Sequence, residues 1–205
     1  MILRFLVVVA MVLTVNVTQS SASNYSNELS SVTTTPDAGS TTTQDVPVYT
    51  LSEVIPSASA EKVPDFTWID ENGVTQKFSE VSKNKVVFLN FWATWCGPCR
   101  REVPDICELK KEFPDKDVAI IGIALDKDDN NGKALDKVKK FIKDRNVNYT
   151  IILGDLDLIE AFGADKIQSI PTTFIIDRKG NYPESAIIGA RSKDQFGAAI
   201  KEKMN

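Results

Sequence analysis

Two cysteines three residues apart, Cys96-Gly97-Pro98-Cys99, lie between a short apolar run and a charged, periodic segment. Thiols at this spacing can exchange with other disulfides, supply half of a zinc site, or form a static cross-link. The run Val86, Val87, Phe88, Leu89, Phe91 and Trp92 predicts a strand covered on both faces. Arg100 to Phe113 has the pattern of an amphipathic helix. Cys96 therefore falls where the first N–H groups of that helix lack intrahelical partners. Those groups and the helix dipole favour a thiolate over a thiol. Cys99 comes one turn along on nearby surface, so its sulfur can reach the first and close a small ring.

The chain has 205 residues, 42% of them hydrophobic and 25% charged, which suits one folded domain with extensions. Its net charge is −4 and it has no long basic run, so nothing favours a nucleic-acid partner. There is no histidine. That excludes a Cys/His zinc finger and every catalytic scheme built on an imidazole. Zinc at the cysteine pair would need two more ligands, and of the three cysteines only Cys107 remains. The pair thus reads as redox-active rather than as a metal site or a static disulfide, with no metal and no cofactor expected.

Residues 1–22 read as a signal peptide or N-terminal anchor. Arg4 gives a positive start, Phe5 to Val17 is mostly apolar, and Ser20-Ser21-Ala22 offers small residues for cleavage. The apolar run is short for a membrane span. Residues 23–60, rich in Ser, Thr, Ala and Pro, read as a flexible linker, because such a stretch buries too little surface to offset its ordering entropy. Within it, Val46 to Ile55 alternates faintly, as a peripheral strand would. Residues 61–205 are expected to form the folded domain.

That domain opens with a predicted hairpin: Pro64 to Trp68, an Asn72-Gly73 turn, then Val74 to Phe78. Pro104 inside the following active helix should kink it. Val118 to Leu125 predicts another buried strand, and Lys133 to Arg145 a helix with Leu135, Val138, Phe141 and Ile142 on one face. Tyr149 to Leu153, Ile170 to Asp177 and Ser185 to Gly189 read as further strands, with a short helix at Leu156 to Phe162. Ser192 to Gln195 is a capping box for a last helix carrying Phe196, Ala199 and Ile200. Alternating strands and helices imply an α/β fold, and the closing hairpin makes its central sheet mixed.

Phe91-Trp-Ala-Thr-Trp-Cys-Gly-Pro-Cys99 matches the motif of the thioredoxin superfamily. Its flanks, Phe88 to Trp95, Arg100-Arg-Glu-Val-Pro104 and Ser169-Ile-Pro-Thr-Thr-Phe174, resemble the exported TlpA/ResA/CcmG group of thiol:disulfide oxidoreductases. The resemblance runs from about Pro64 to the C-terminus. It implies a thioredoxin fold with an N-terminal β-hairpin and an extra strand-helix insertion at about 114–148. It implies an extracytoplasmic enzyme whose Cys96 thiolate attacks a substrate disulfide while Cys99 resolves the intermediate. Thioredoxin has a buried acid six residues before its first cysteine, where this chain has Asn90, which cannot titrate. Glu102, one turn beyond Cys99, is therefore expected to take the proton of Cys99, as the acid of the ResA-like group implies; the alternative is a solvated surface Glu. The resemblance further implies a cis Ile170–Pro171 bond facing the cysteines, with the Ile170 backbone free for a substrate strand. Trp95, Gly97 and Pro98 complete the expected substrate-binding surface. Expected partners are a disulfide-containing protein such as apocytochrome c and, as electron donor, a membrane reductase of the DsbD/CcdA type. A monomer is expected.

Other features carry blander readings. Cys107, two turns beyond Cys99, reads as a small buried apolar residue, with a regulatory or dimer-forming thiol as the alternative. Asp126, Asp128 and Asn130 imitate an EF-hand loop, but Asn131 and Lys137 occupy positions that need Gly and Glu, so the stretch reads as a solvated loop. Rival functions are a disulfide oxidase or isomerase of the same fold, a metal- or haem-handling module with structural cysteines, and a peroxiredoxin-like peroxidase.

Overall fold

The structure, a computed structural model, describes residues 46–57, 59–127 and 132–205. The predicted signal segment and most of the predicted linker lie outside the described residues. Among the described residues, eight strands form one mixed sheet: β1 (Val48–Ile55), β2 (Asp65–Ile69), β3 (Thr75–Lys77), β4 (Val86–Trp92), β5 (Val118–Ala124), β6 (Thr150–Leu153), β7 (Thr172–Ile176) and β8 (Ile187–Ile188). Their order is β3-β2-β1-β6-β5-β4-β7-β8. The inner run β1, β6, β5 and β4 is parallel, whereas β2 and β3 on one side and β7 and β8 on the other are antiparallel.

The helices are α1 (Phe78–Val81), α2 (Gly97–Glu112), α3 (Lys133–Arg145), α4 (Leu156–Phe162) and α5 (Lys193–Met204). Strand alternation divides the core into two apolar layers. Phe88 and Trp92 of β4 and Ile120 of β5 pack with Val103, Ile106 and Leu109 of α2, Val138 and Ile142 of α3, and Phe196 and Ile200 of α5. Val87, Leu89 and Phe91 face the other way, toward Phe78 of α1 and Leu158 and Phe162 of α4. All seven residues of β4 are buried, as a strand bonded to β5 and β7 and covered on both faces must be.

Most predicted elements are present, including the β2–β3 hairpin, whose Gly73 takes a left-handed φ of 76°, and the capping box of α5. One expectation needs correction. The span 23–60 is not linker throughout, because β1 occupies 48–55 and lies between β2 and β6 rather than at the periphery. Its polar residues are tolerated since only part of its surface is covered, while backbone pairing on both sides fixes it in place. Pro104 lies inside α2, which continues to Glu112. Pro104 is exposed, so its ring meets no packed neighbour, and the helix loses one internal hydrogen bond there.

Candidate active site

Strand β4 ends at Trp92 and the chain turns through Ala93-Thr94-Trp95 into α2. Asp126, just past the end of β5, fixes this turn: its carboxylate accepts hydrogen bonds from Thr94 N, at 2.9 Å, and from Thr94 Oγ1. Asp126 is buried, so the reading of its stretch as a solvated loop is wrong at this residue; residues 128–131 lie outside the described residues. Sequence reasoning missed Asp126, and its position directly after a buried parallel strand was the available signal.

Cys96 is the N-cap of α2, in extended backbone conformation, and its Sγ accepts from the Cys99 backbone N–H at 3.2 Å. Gly97 and Pro98 follow as the first helical residues. Pro98 forfeits an N–H that would have no helical partner there anyway. Cys96 and Cys99 form a disulfide with Cα atoms 5.3 Å apart. Cys99 is fully buried and Cys96 nearly so, while Gly97 and Pro98 are exposed and Trp95 is 68% exposed. An anion on Cys96 Sγ would inherit the Cys99 N–H hydrogen bond and the positive end of α2.

The Ile170–Pro171 bond is cis. Ile170 O lies 3.5 Å from Cys96 Sγ, so the loop before β7 faces the outer sulfur. Thr172 Oγ1 donates to Ser169 O at 2.6 Å and Gly189 N to Pro171 O at 2.8 Å, which tie the loop on both sides. From Trp95 and Ile170 an open groove of about 890 Å³ runs past Leu125, Leu153, Leu156 and Ile159.

Glu102 is buried under α2, not solvated. Its Oε1 accepts from Asn90 Nδ2 at 3.0 Å, and the same amide group donates to Thr173 Oγ1 at 2.9 Å. The residue that replaces thioredoxin's buried acid thus holds the acid supplied by the next helix and joins it to the strand after Pro171. Burial pushes the Glu102 carboxyl up to about 7, against the partial offsets of the Asn90 amide and the Arg191 backbone and guanidinium. Asn90 was read in the sequence only as a missing acid; its bridging role was not foreseen. Cys107 is buried and free, and burial raises its thiol above the ordinary range.

A dithiol pair capping a helix and facing a cis-proline loop is the arrangement of thioredoxin-like oxidoreductases, and comparison with known proteins gives the family. The AhpC/TSA family profile matches residues 60–182. The chain belongs to this family. Thiol-disulfide oxidoreductase ResA of Bacillus cereus is 35% identical over 142 residues, covering 69% of this chain and 76% of the relative. ResA of Bacillus subtilis is 35% identical over 143 residues, covering 69% and 72%. Among solved structures, a thiol:disulfide interchange protein of the thioredoxin family from Chlorobium tepidum superimposes with a TM-score of 0.61 at 32% identity, covering 73% of this chain and 99% of that one. This AhpC/TSA member is accordingly a thioredoxin-like thiol:disulfide oxidoreductase acting on disulfide-containing substrates, with Cys96 and Cys99 fitting its dithiol.

Proposed function

We propose that the protein reduces disulfides of proteins outside the cytoplasm, with Cys96 as nucleophile, Cys99 as resolving thiol and Glu102 as proton acceptor. The observation that carries this reading is the placement of Cys96 Sγ, bonded to the Cys99 N–H and 3.5 Å from Ile170 O, beside the exposed Trp95. The Cys96 thiolate attacks a substrate disulfide; one substrate sulfur bonds to Cys96 and the other leaves as a thiolate. Cys99 gives its proton to Glu102 and attacks Cys96, which releases the second substrate thiolate and forms the Cys96–Cys99 disulfide. Two electrons pass from the protein dithiol to the substrate, and a reductase of the DsbD/CcdA type restores the pair. An extended substrate segment binds along the groove, with Trp95, Gly97 and Pro98 as its floor beside the sulfur and the Ile170–Pro171 loop as its backbone partner.

Residues 1–22 export the chain or anchor it, residues preceding β1 tether it, and the domain works as a monomer. Among the described residues no helix is long and apolar enough to cross a membrane. Apocytochrome c is the proposed substrate, from the group the motif flanks resemble. Cys99→Ser, expressed in a bacterial cell envelope, should accumulate a mixed disulfide through Cys96, and mass spectrometry would name the partner. Absence of any adduct, or adducts through Cys107 alone, would remove the proposal.

A further inference from the structure

Four buried polar atoms have no hydrogen-bond partner among the described residues: Trp92 Nε1, Glu102 Oε2, Asn148 Oδ1 and Tyr149 Oη. Trp92 and Tyr149 belong to the apolar layer between the sheet and α2, and Glu102 reaches into it from α2 to Asn90. Asn90 and Trp92 alternate onto that face of β4, and Gly122 of β5 lies opposite Asn90. A Cβ on Gly122 would come 3.0 Å from Trp92 Nε1 and 3.2 Å from Tyr149 Cε2, so indole and phenol both rest on bare backbone beside Asn90. Asn90 in turn holds Glu102. Asn148 donates from Nδ2 to Cys107 O at 3.1 Å, which leaves its Oδ1 available in the same region. The electrostatic influence of both Glu102 and Cys107 on the Tyr149 hydroxyl agrees with this clustering.

Buried polar groups left without partners cost a sizeable share of a domain's net stability, and folded proteins meet that cost with ordered water. The chemistry of the four atoms is complementary: an indole donor, an amide acceptor, a hydroxyl that does both, and a carboxyl oxygen. We propose that Trp92, Asn148 and Tyr149 hold ordered water beneath α2 that completes the hydrogen bonding of Glu102 and gives its carboxyl an internal route for proton exchange. Tyr149 is then a positioning residue for the deprotonation of Cys99. The proton leaves the Cys99 thiol for the Glu102 carboxylate, the Cys99 sulfur attacks Cys96 and breaks its bond to the substrate sulfur, which leaves as a thiolate, and Glu102 later passes the proton through the bound water to solvent. This rests on the reading of Glu102 as proton acceptor. The charged groups facing Glu102 are Arg191, before α5, and Asp105 on α2; Asn90 is its neutral partner and is itself bonded to Thr173, while Tyr149 and Cys107 keep their protons at neutral pH.

Tyr149→Phe removes one oxygen and tests the proposal by sign. If the layer is dry, the change deletes an unsatisfied hydroxyl, so the variant gains stability and Glu102 titrates as before. If water bridges the groups, the variant loses stability in urea and its Glu102 titration, followed by carbon-13 NMR, moves up by roughly half a pH unit or more. The pH profile of the Cys99-dependent release step moves the same way. A gain in stability or an unmoved titration overturns the proposal. Should the variant fail to fold, water-to-protein cross-relaxation at the Trp92 indole of the unaltered chain decides, since a long-lived water there is required and its absence overturns the proposal. The Glu102 titration can be read whether or not Glu102 takes part in exchange. A failure of the water reading is therefore distinct from a failure of the Glu102 reading, which rests on the exchange rate of Glu102→Gln.

Discussion

Glu102 is a buried acid held by the Asn90 amide and faced by Arg191, and its position makes both stability and exchange depend on pH. Its carboxyl titrates near 7 in the fold and near 4.5 when free, so between these values the folded state binds the extra proton. Stability contributed by the neutral form is complete below the lower value and declines as pH rises through the window. Above pH 7 the fold carries a buried charge that costs on the order of 3 kcal/mol at most. Glu102→Gln keeps the shape and removes the charge. We expect it to match the wild type in urea unfolding at pH 4.5 and to exceed it at pH 8, with the gain appearing between those values. The same variant should slow resolution of a trapped mixed disulfide about a hundredfold, since it cannot accept the Cys99 proton; rapid-quench kinetics would show it, and an unchanged rate would leave Glu102 a structural group. At the turn, Asp126→Ala leaves the Thr94 N–H without its acceptor. It should cost about 1–3 kcal/mol in stability and lower the exchange rate by loosening the approach to Cys96.

The junction of β4 with α2 does the positioning at the next scale. The strand is fixed by pairing on both edges, the helix begins where the strand releases the chain, and the first sulfur caps the helix. The outer sulfur combines that hydrogen bond with a place at the N-terminus of α2 facing Ile170 O beside the exposed Trp95, while Cys99 is fully buried and burial raises the Cys107 thiol. In the reduced protein, iodoacetamide should therefore alkylate Cys96 at least about tenfold faster than either other thiol, as peptide mapping after brief labelling would show. The support under the helix is as specific. Gly122 has no room for a methyl group, since a Cβ would stand 2.7 Å from Ile151 Cδ1 as well as close to Trp92 and Tyr149. Gly122→Ala should destabilise by about 1–3 kcal/mol through overpacking. Because the layer it disturbs carries Asn90 and Glu102, its exchange rate should also fall, whereas a substitution acting through stability alone would leave the rate of the folded fraction intact.

Across the whole molecule, what the sequence disclosed follows from how local each signal is. The buried strand, the helix start and the dithiol spacing lie within a few consecutive residues, and periodicity and capping chemistry suffice to find them. Asn90 bonding Glu102 and Thr173, or Asp126 reaching back to Thr94, joins residues far apart in the chain, and no local pattern encodes such contacts. β1 went nearly unseen for a related reason: its burial is partial, so alternation is faint, and its place comes from backbone pairing with β2 and β6. That pairing makes β1 part of the domain rather than of the tether. A chain beginning at Val46 keeps every strand of the sheet; one beginning at Glu61 lacks β1 and breaks the sheet between β2 and β6. The break exposes two unpaired strand edges and uncovers the contacts that Tyr49, Leu51 and Val54 make with the layer around Phe66, Trp68 and Phe162. The longer fragment should therefore melt as the full chain does and exchange disulfides at the same rate. The shorter one should aggregate or melt at least about 10 °C lower, a shift equivalent to only a few kcal/mol in a domain of this size. Circular dichroism of the two fragments distinguishes the cases, and equal melting would show that β1 belongs to the linker after all.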